Sequence, residues 1–108
     1  MTESARMQQI RAWLAESPDD PELRYALAME HRSAGDLDRA VEEFRRLAAN
    51  QPDFVPTYLM LAQTLLQVQQ PEAARTALQH GIAVARRMRN DHALGELQAL
   101  LDSLDPAP

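Results

Sequence analysis

The 108-residue chain contains no cysteine, and all eleven of its basic residues are arginine. The first absence excludes disulfides, zinc–thiolate centres and thiol chemistry. The second reads as a compositional bias and carries no chemistry. Glycine is scarce at three residues, and there are one Trp, two Tyr and two Phe. No apolar run approaches the roughly 18 residues that a membrane-spanning helix requires. The opening stretch, MTESARMQQIRAWLAESPDD, lacks the basic start, apolar run and small-residue cleavage site of a signal peptide. Together with the missing cysteines, this predicts a cytoplasmic chain with no membrane partner. Positive charge is also short. Eleven Arg against sixteen Asp plus Glu leave a net charge of −5, which weighs against a dedicated nucleic-acid binder.

What is present points to helix. Apolar residues make up 45% and charged residues 25%, an ordinary balance for a folded chain of one domain. Ala, Leu, Gln, Glu and Arg dominate, and all favour helix. Pro18, Pro21, Pro52, Pro56 and Pro71 cut the chain into helix-length segments, and Pro106 and Pro108 end it. The first segment, 3–16, aligns Met7, Ile10 and Leu14 on one face, with Trp13 beside them. Asp20-Pro21-Glu22 is a helix start, with an Asp cap, Pro in the first turn and an acid near the positive helix end. Leu23, Leu27, Ala28, His31 and Ala34 then share a face, and Gly35-Asp36 stops the helix. The third carries Leu37, Ala40, Val41, Phe44, Leu47 and Ala48. The fourth carries Tyr58, Leu61, Ala62, Leu65 and Val68. The fifth, from Pro71-Glu72, carries Ala74, Leu78, Ile82 and Ala85. Asn90-Asp91 caps a sixth with Leu94, Leu97, Leu101 and Leu104.

The helices repeat. Pro18-Asp19 and Pro52-Asp53 stand 34 residues apart, as do Leu27-Ala28 and Leu61-Ala62, Ala40 and Ala74, and Phe44 and Leu78. A 34-residue period built from two helices marks a helical solenoid. In these residues the chain resembles the tetratricopeptide repeat (TPR) family. Residues 21–54 match its pattern at Leu27, Ala28, Gly35-Asp36-Leu37, Ala40, Phe44 and Pro52, and depart from it at Arg24 and His31. Residues 55–88 match at Tyr58, Leu61, Ala62, Ala74 and Leu78, with Gln69-Gln70 in place of Gly-Asp and no closing Pro. Residues 3–18 resemble the second helix of a preceding half-repeat, 91–104 a capping helix, and 105–108 a tail. The Arg-rich helix followed by a Leu-rich one resembles small free-standing bacterial members. The implied fold is an all-α, right-handed superhelix of six helices. Gln69, standing where the family has its turn glycine, is expected to adopt positive φ.

Few residues suggest catalysis. No Gly-rich phosphate loop is present, and Ser4, Ser17, Ser33 and Ser103 lack the strand–turn–helix setting that activates a serine. His92 and Glu96 are four apart on the sixth helix. As two ligands they are too few for a specific metal site, and an exposed i,i+4 pair is the simpler reading. His31 reads as a half-buried packing residue. Glu42-Glu43 beside Arg45-Arg46 reads as a solvated face. The segment 71–90 carries Arg75, Arg86, Arg87 and Arg89 against one Glu. That cluster suits an acidic peptide, a phosphate group or nucleic acid, although the negative end of a helix favours arginines in any case. No aromatics interleave to stack bases.

The family resemblance also implies a concave groove lined by the first helix of each pair. It would present Glu22, Tyr25, Met29, Arg32 and Ser33, then Pro56, Leu59, Gln63, Leu66 and Gln67, with His92 and Ala99 from the last helix. Tyr25, Met29, Leu59 and Leu66 form its apolar strip, and exposed apolar strips mark binding surfaces. The carboxylate-holding Lys and Asn of some family members are missing at Tyr25, Met29, Leu59 and Gln63. A receptor for a chaperone's C-terminal tail is therefore not expected, and the lack of a catalytic constellation makes the expected function non-enzymatic, with no cofactor. The groove takes a segment of a protein partner, or alternatively serves self-association as a homodimer.

Overall fold

A computed structural model describes residues 3–105; the expected tail at 106–108 lies outside them. Among the described residues there are six helices and no strand. They are α1 (Ala5–Glu16), α2 (Pro21–Ser33), α3 (Leu37–Asn50), α4 (Pro56–Gln67), α5 (Pro71–Arg87) and α6 (Asp91–Leu104). Each helix packs on the next in the chain, and α4 also touches α6. The result is an elongated stack of 48 × 30 × 19 Å.

Local chemistry sets the helix ends. Ser4 caps α1 through a 3.0 Å bond from the Met7 amide. Asp20 caps α2, its Oδ1 accepting from the Glu22 and Leu23 amides at 2.9 and 3.3 Å. Asn90 caps α6, accepting from the Ala93 amide at 3.0 Å. Three helices end in one shared pattern. After α2, the Asp36 amide bonds to the His31 carbonyl and the Gly35 amide to the Arg32 carbonyl. After α4, Gln70 bonds to Leu65 and Gln69 to Leu66, and after α5, Asn90 bonds to Ala85 and Arg89 to Arg86. Each pair closes six-to-one and five-to-two rings around one left-handed residue. Those residues are Gly35 at φ +81°, Gln69 at +62° and Arg89 at +56°. Gln69 thus has the expected positive φ. Arg89 has it too, at a position that no residue type marks in advance.

The core is one continuous cluster from α2 to α6. Ala28, Ala40, Ala62 and Ala74 are wholly buried and let the helices approach closely, while Phe44, Tyr58, Leu78 and Leu97 fill the space between them. Gly81 marks a close approach: a Cβ there would lie 2.5 Å from the Tyr58 Cβ and 3.3 Å from Leu97. A separate small cluster joins Met7, Ile10 and Leu14 of α1 to Leu27. Two expected core positions are corrected. Trp13 is 49% exposed, because it lies about 100° around α1 from Leu14 and so beside the Met7–Ile10–Leu14 stripe that meets α2. Ala34 is exposed because it is the residue on which α2 ends.

Candidate functional site

Helices α2, α4 and α6 bring one face of the stack together around a cavity of about 330 Å³. Its walls come from the first two turns of these helices. Tyr25 stands on α2, Val55, Pro56, Leu59 and Met60 on α4 or at its start, and Asn90, His92, Ala93, Glu96 and Leu97 on α6 or at its start. Tyr25 is fixed by edge-on contacts with Phe44 and Phe54, ring centres 5.9 and 5.8 Å away. Desolvation pushes its hydroxyl pKa above the ordinary tyrosine value, partly opposed by the Arg32 charge.

Of the groove residues expected from the sequence, Pro56 and His92 line the cavity, Glu22, Ser33 and Ala99 do not, and the others fall into three sets. Tyr25 and Leu59 line the cavity. Arg32 and Gln63 meet farther along the same helices. The Arg32 guanidinium donates to Gln67 Oε1 at 3.0 Å and to Gln63 Oε1 at 3.4 Å, and lies 3.3 Å from the Met60 sulfur. This strap ties α2 to α4 about 10 Å along the helix from Tyr25, at 1.5 Å per residue. Met29 and Leu66 are half-buried against the core and do not line the cavity. Met60, Ala93 and Leu97 complete the cavity, and the sequence reading had not singled them out as site residues. Leu97 belongs to the apolar stripe of the sixth helix, and its place at the cavity comes from the packing of α6 against α4.

The arginine cluster does not form one site. Arg75 lies eleven residues, about 16 Å of helix rise, before Arg86. It pairs with Asp105 and, at 3.7 Å, with Glu72. Arg87 pairs with Asp53 on the loop before α4. Arg86 and Arg89 are exposed at the α5–α6 turn, and among the described residues neither pairs with a carboxylate. His92 and Glu96 form an exposed pair 3.0 Å apart.

A second cavity, of about 450 Å³, opens between α1 and the α2–α3 turn, lined among others by Met7, Glu30, His31, Asp36 and Arg39. His31 is only 4% exposed, deeper than the half-buried position expected. The carboxylates around this cavity are occupied: Glu3 by Arg11 and Glu30 by Arg6, both at 2.6 Å, and Asp36 by Arg39 at 3.5 Å. Among the described residues, no three His, Asp or Glu side chains converge to hold a metal ion. No described helix is long and apolar enough to cross a membrane.

Comparison with known proteins agrees with this architecture. Residues 6–78 match the family described as surface lipoprotein assembly modifier, N-terminal TPR repeats. The chain is 32% identical over 88 residues to a surface lipoprotein assembly modifier of Pasteurella multocida, covering 82% of this chain and 16% of that protein. It is 28% identical over 98 residues to a TPR repeat-containing protein of Pseudomonas aeruginosa, covering 91% of this chain and 93% of that one. The crystal structure of a tetratricopeptide repeat domain protein from Salinibacter ruber superposes with a TM-score of 0.76 at 34% identity, over 80% of this chain and 96% of that one. The helix pairing, the repeated turn and these matches together place the chain in the tetratricopeptide-repeat family, among its bacterial members.

Proposed function

We propose that the chain is a protein-interaction module that receives a partner segment on the α2–α4–α6 face. The observation that carries this is the cavity bounded by Tyr25, Leu59, Met60, Ala93 and Leu97. The sixth helix walls the face without filling it, so half-buried apolar groups remain within reach of a partner. Met60 supplies a surface that adapts to the side chain it meets. Among the described residues the His–Glu pair on this face, His92 with Glu96, is exposed. The Pasteurella relative is named for surface lipoprotein assembly. This chain spans only 16% of it, so any part in such assembly would be the recognition of a protein segment.

The test is selection of random twelve-residue peptides on the immobilised chain, followed by mapping of amide shifts. Bound peptides are expected to move the signals of Tyr25, Leu59 and Ala93, and Leu59→Asp is expected to abolish binding. Shifts confined to another face would overturn the reading. So would light scattering that finds a dimer which Leu59→Asp dissociates, since the face would then serve a second copy of the chain.

A further inference from the structure

We propose that the cavity between α1 and the α2–α3 turn is a second binding site, one that takes an alkylammonium chain, either a free aliphatic polyamine or a lysine side chain. It lies apart from the α2–α4–α6 face, and the two readings stand or fall separately.

A buried imidazole comes first. His31 lines this cavity and is only 4% exposed. Among the described residues no hydrogen bond reaches its ring. The buried side-chain atoms left without a partner are Glu43 Oε2 and Thr57 Oγ1. The His31 nitrogens are not shut in the same way, so they keep surface, and the cavity is what the residue faces. A neutral imidazole offers one acceptor nitrogen and one N–H. Burying such a group without a partner is costly. The fold does not require it here, because the matching place 34 residues on holds Leu65, which is 1% exposed. Leucine serves the packing, whereas histidine adds a polar group that waits for a ligand.

Charge selects the ligand. Glu3, Glu30 and Asp36 line the cavity against one lining arginine, Arg39. Each carboxylate is paired through one oxygen: Glu30 Oε1 with Arg6, Glu3 Oε1 with Arg11 and Asp36 Oδ2 with Arg39. No described hydrogen bond takes up the second oxygen of any of them. The Arg6 and Arg39 side chains are 70% and 65% exposed, and exposed pairs hold weakly. An anion would meet three carboxylates here. A metal ion would find no three described side chains converging on one point. An ammonium group has three N–H donors and no acceptor, which matches an acceptor nitrogen and spare carboxylate oxygens set apart from one another. Met7 and Ala34 add apolar lining, along which a methylene stem can lie as lysine stems do. The volume of about 450 Å³ falls within the roughly 300–1,000 Å³ of small-molecule sites.

The test titrates diaminopentane into the chain and, in a second arm, lysine blocked at both ends of its backbone. Amide and methyl NMR shifts are followed at low and high salt. The amines are expected to move the signals of Met7, His31 and Ser33, and to weaken as salt rises. His31→Leu is expected to weaken the diamine about tenfold, as loss of a hydrogen bond to a charged group does, and Leu65 shows that leucine fits such a place. Glu30→Gln with Asp36→Asn keeps both shapes and is expected to weaken it about fivefold. Asp91→Asn with Asp102→Asn removes the same charge from α6 and is expected to change nothing. Saturating diamine is also expected to slow amide exchange in α1, because a ligand bound only to the docked helix stabilises it. Binding of the blocked lysine would point to a protein partner, and binding of the diamine alone to a free polyamine; both outcomes support the site. Equal weakening by the α6 pair and the cavity pair would reduce the effect to general attraction to an acidic chain and overturn the proposal. Binding unmoved by His31→Leu, or binding of neither amine, would overturn it too.

Discussion

Gly35, Gln69 and Arg89 carry three different side chains on one backbone shape. The shape is demanded by the ring closure that ends each helix, so the side chain must tolerate it. For a residue other than glycine the left-handed region costs on the order of 1 kcal/mol. Gln69→Gly is therefore expected to stabilise the chain by up to about 1 kcal/mol, a rise of a few degrees in Tm by circular dichroism. Gly35→Ala is expected to lower Tm by a similar amount. A lower Tm for Gln69→Gly would mean that the turn holds no strain. Gly81 answers a different demand, that of space. Its added Cβ would meet the Tyr58 Cβ at 2.5 Å, and both atoms sit on rigid helices. Gly81→Ala is expected to cost about 1–3 kcal/mol, the range of overpacked cores, with a matching fall in the urea midpoint. Tyr58 is itself doubly held, donating to the Pro52 carbonyl at 2.5 Å and packing 5.1 Å from the His80 ring. Burial first, then the Asp53 charge, raises its pKa against the opposing pull of Arg87. The folded state thus holds the phenol proton more tightly than the unfolded state. That contribution is complete below pH ~10, the unfolded tyrosine value, and is lost as pH rises through the folded pKa. Urea midpoints are expected to fall in that alkaline window, and to fall less steeply in Tyr58→Phe and Tyr25→Phe.

At the scale of the element, similar sequence signals act through different contacts. Asp20 and Asp36 each stand before a helix, but only Asp20 bonds to the amides of the first turn. Asp20→Ala is expected to cost about 1 kcal/mol, as lost caps do. Asp36→Ala is expected to cost less than about 0.5 kcal/mol, since Asp36 keeps only an exposed pair with Arg39. Equal losses in a denaturant titration would contradict this division. The fold itself was legible because the 34-residue period fixes which apolar positions face inward: Leu27, Ala28, Ala40, Phe44, Leu61, Ala62, Ala74 and Leu78 are all buried. Trp13 was misplaced because aromatic character says nothing about which face of α1 has a neighbour. The site was legible only in part. Tyr25 and Leu59 could be placed through the resemblance, whereas Ala93 and Leu97 required the tilt of α6, which no periodicity encodes. Arg32 looked free for a partner, and its engagement by Gln63 and Gln67 spans more than thirty residues of sequence. The arginine cluster looked continuous because sequence distance hides helix rise. Arg75 and Arg86 stand near opposite ends of α5, and among the described residues Arg75 meets Glu72 and Asp105 while Arg86 meets no carboxylate.

Over the whole molecule, stability is distributed as in a stack of neighbours rather than a sphere. Each helix gains most of its burial from those beside it, so the ends of the stack are held from one side. The two ends are not equal. α6 joins the main core through Leu97, with Leu94, Leu100, Leu101 and Leu104 packed around it, and it touches both α4 and α5. α1 rests on the small cluster of Met7, Ile10, Leu14 and Leu27, and packs chiefly on α2. Its exposed side carries Trp13 with polar neighbours and has no second helix against it. Regions with few buried apolar contacts open at lower free energy than the global transition. Native-state amide exchange is therefore expected to find α1 opening first, with the buried amides of α3, α4 and α5 exchanging only through global unfolding. Ile10→Ala is expected to speed exchange in α1 far more than in α4. Leu78→Ala, in the main core cluster, is expected to lower protection from α2 to α6 by about 2–5 kcal/mol. Uniform protection from α1 to α6 would show a single cooperative unit. The α2–α4–α6 face would then gain no independence from the end that frays, and α1 would have to be counted as part of the platform that holds the cavity open.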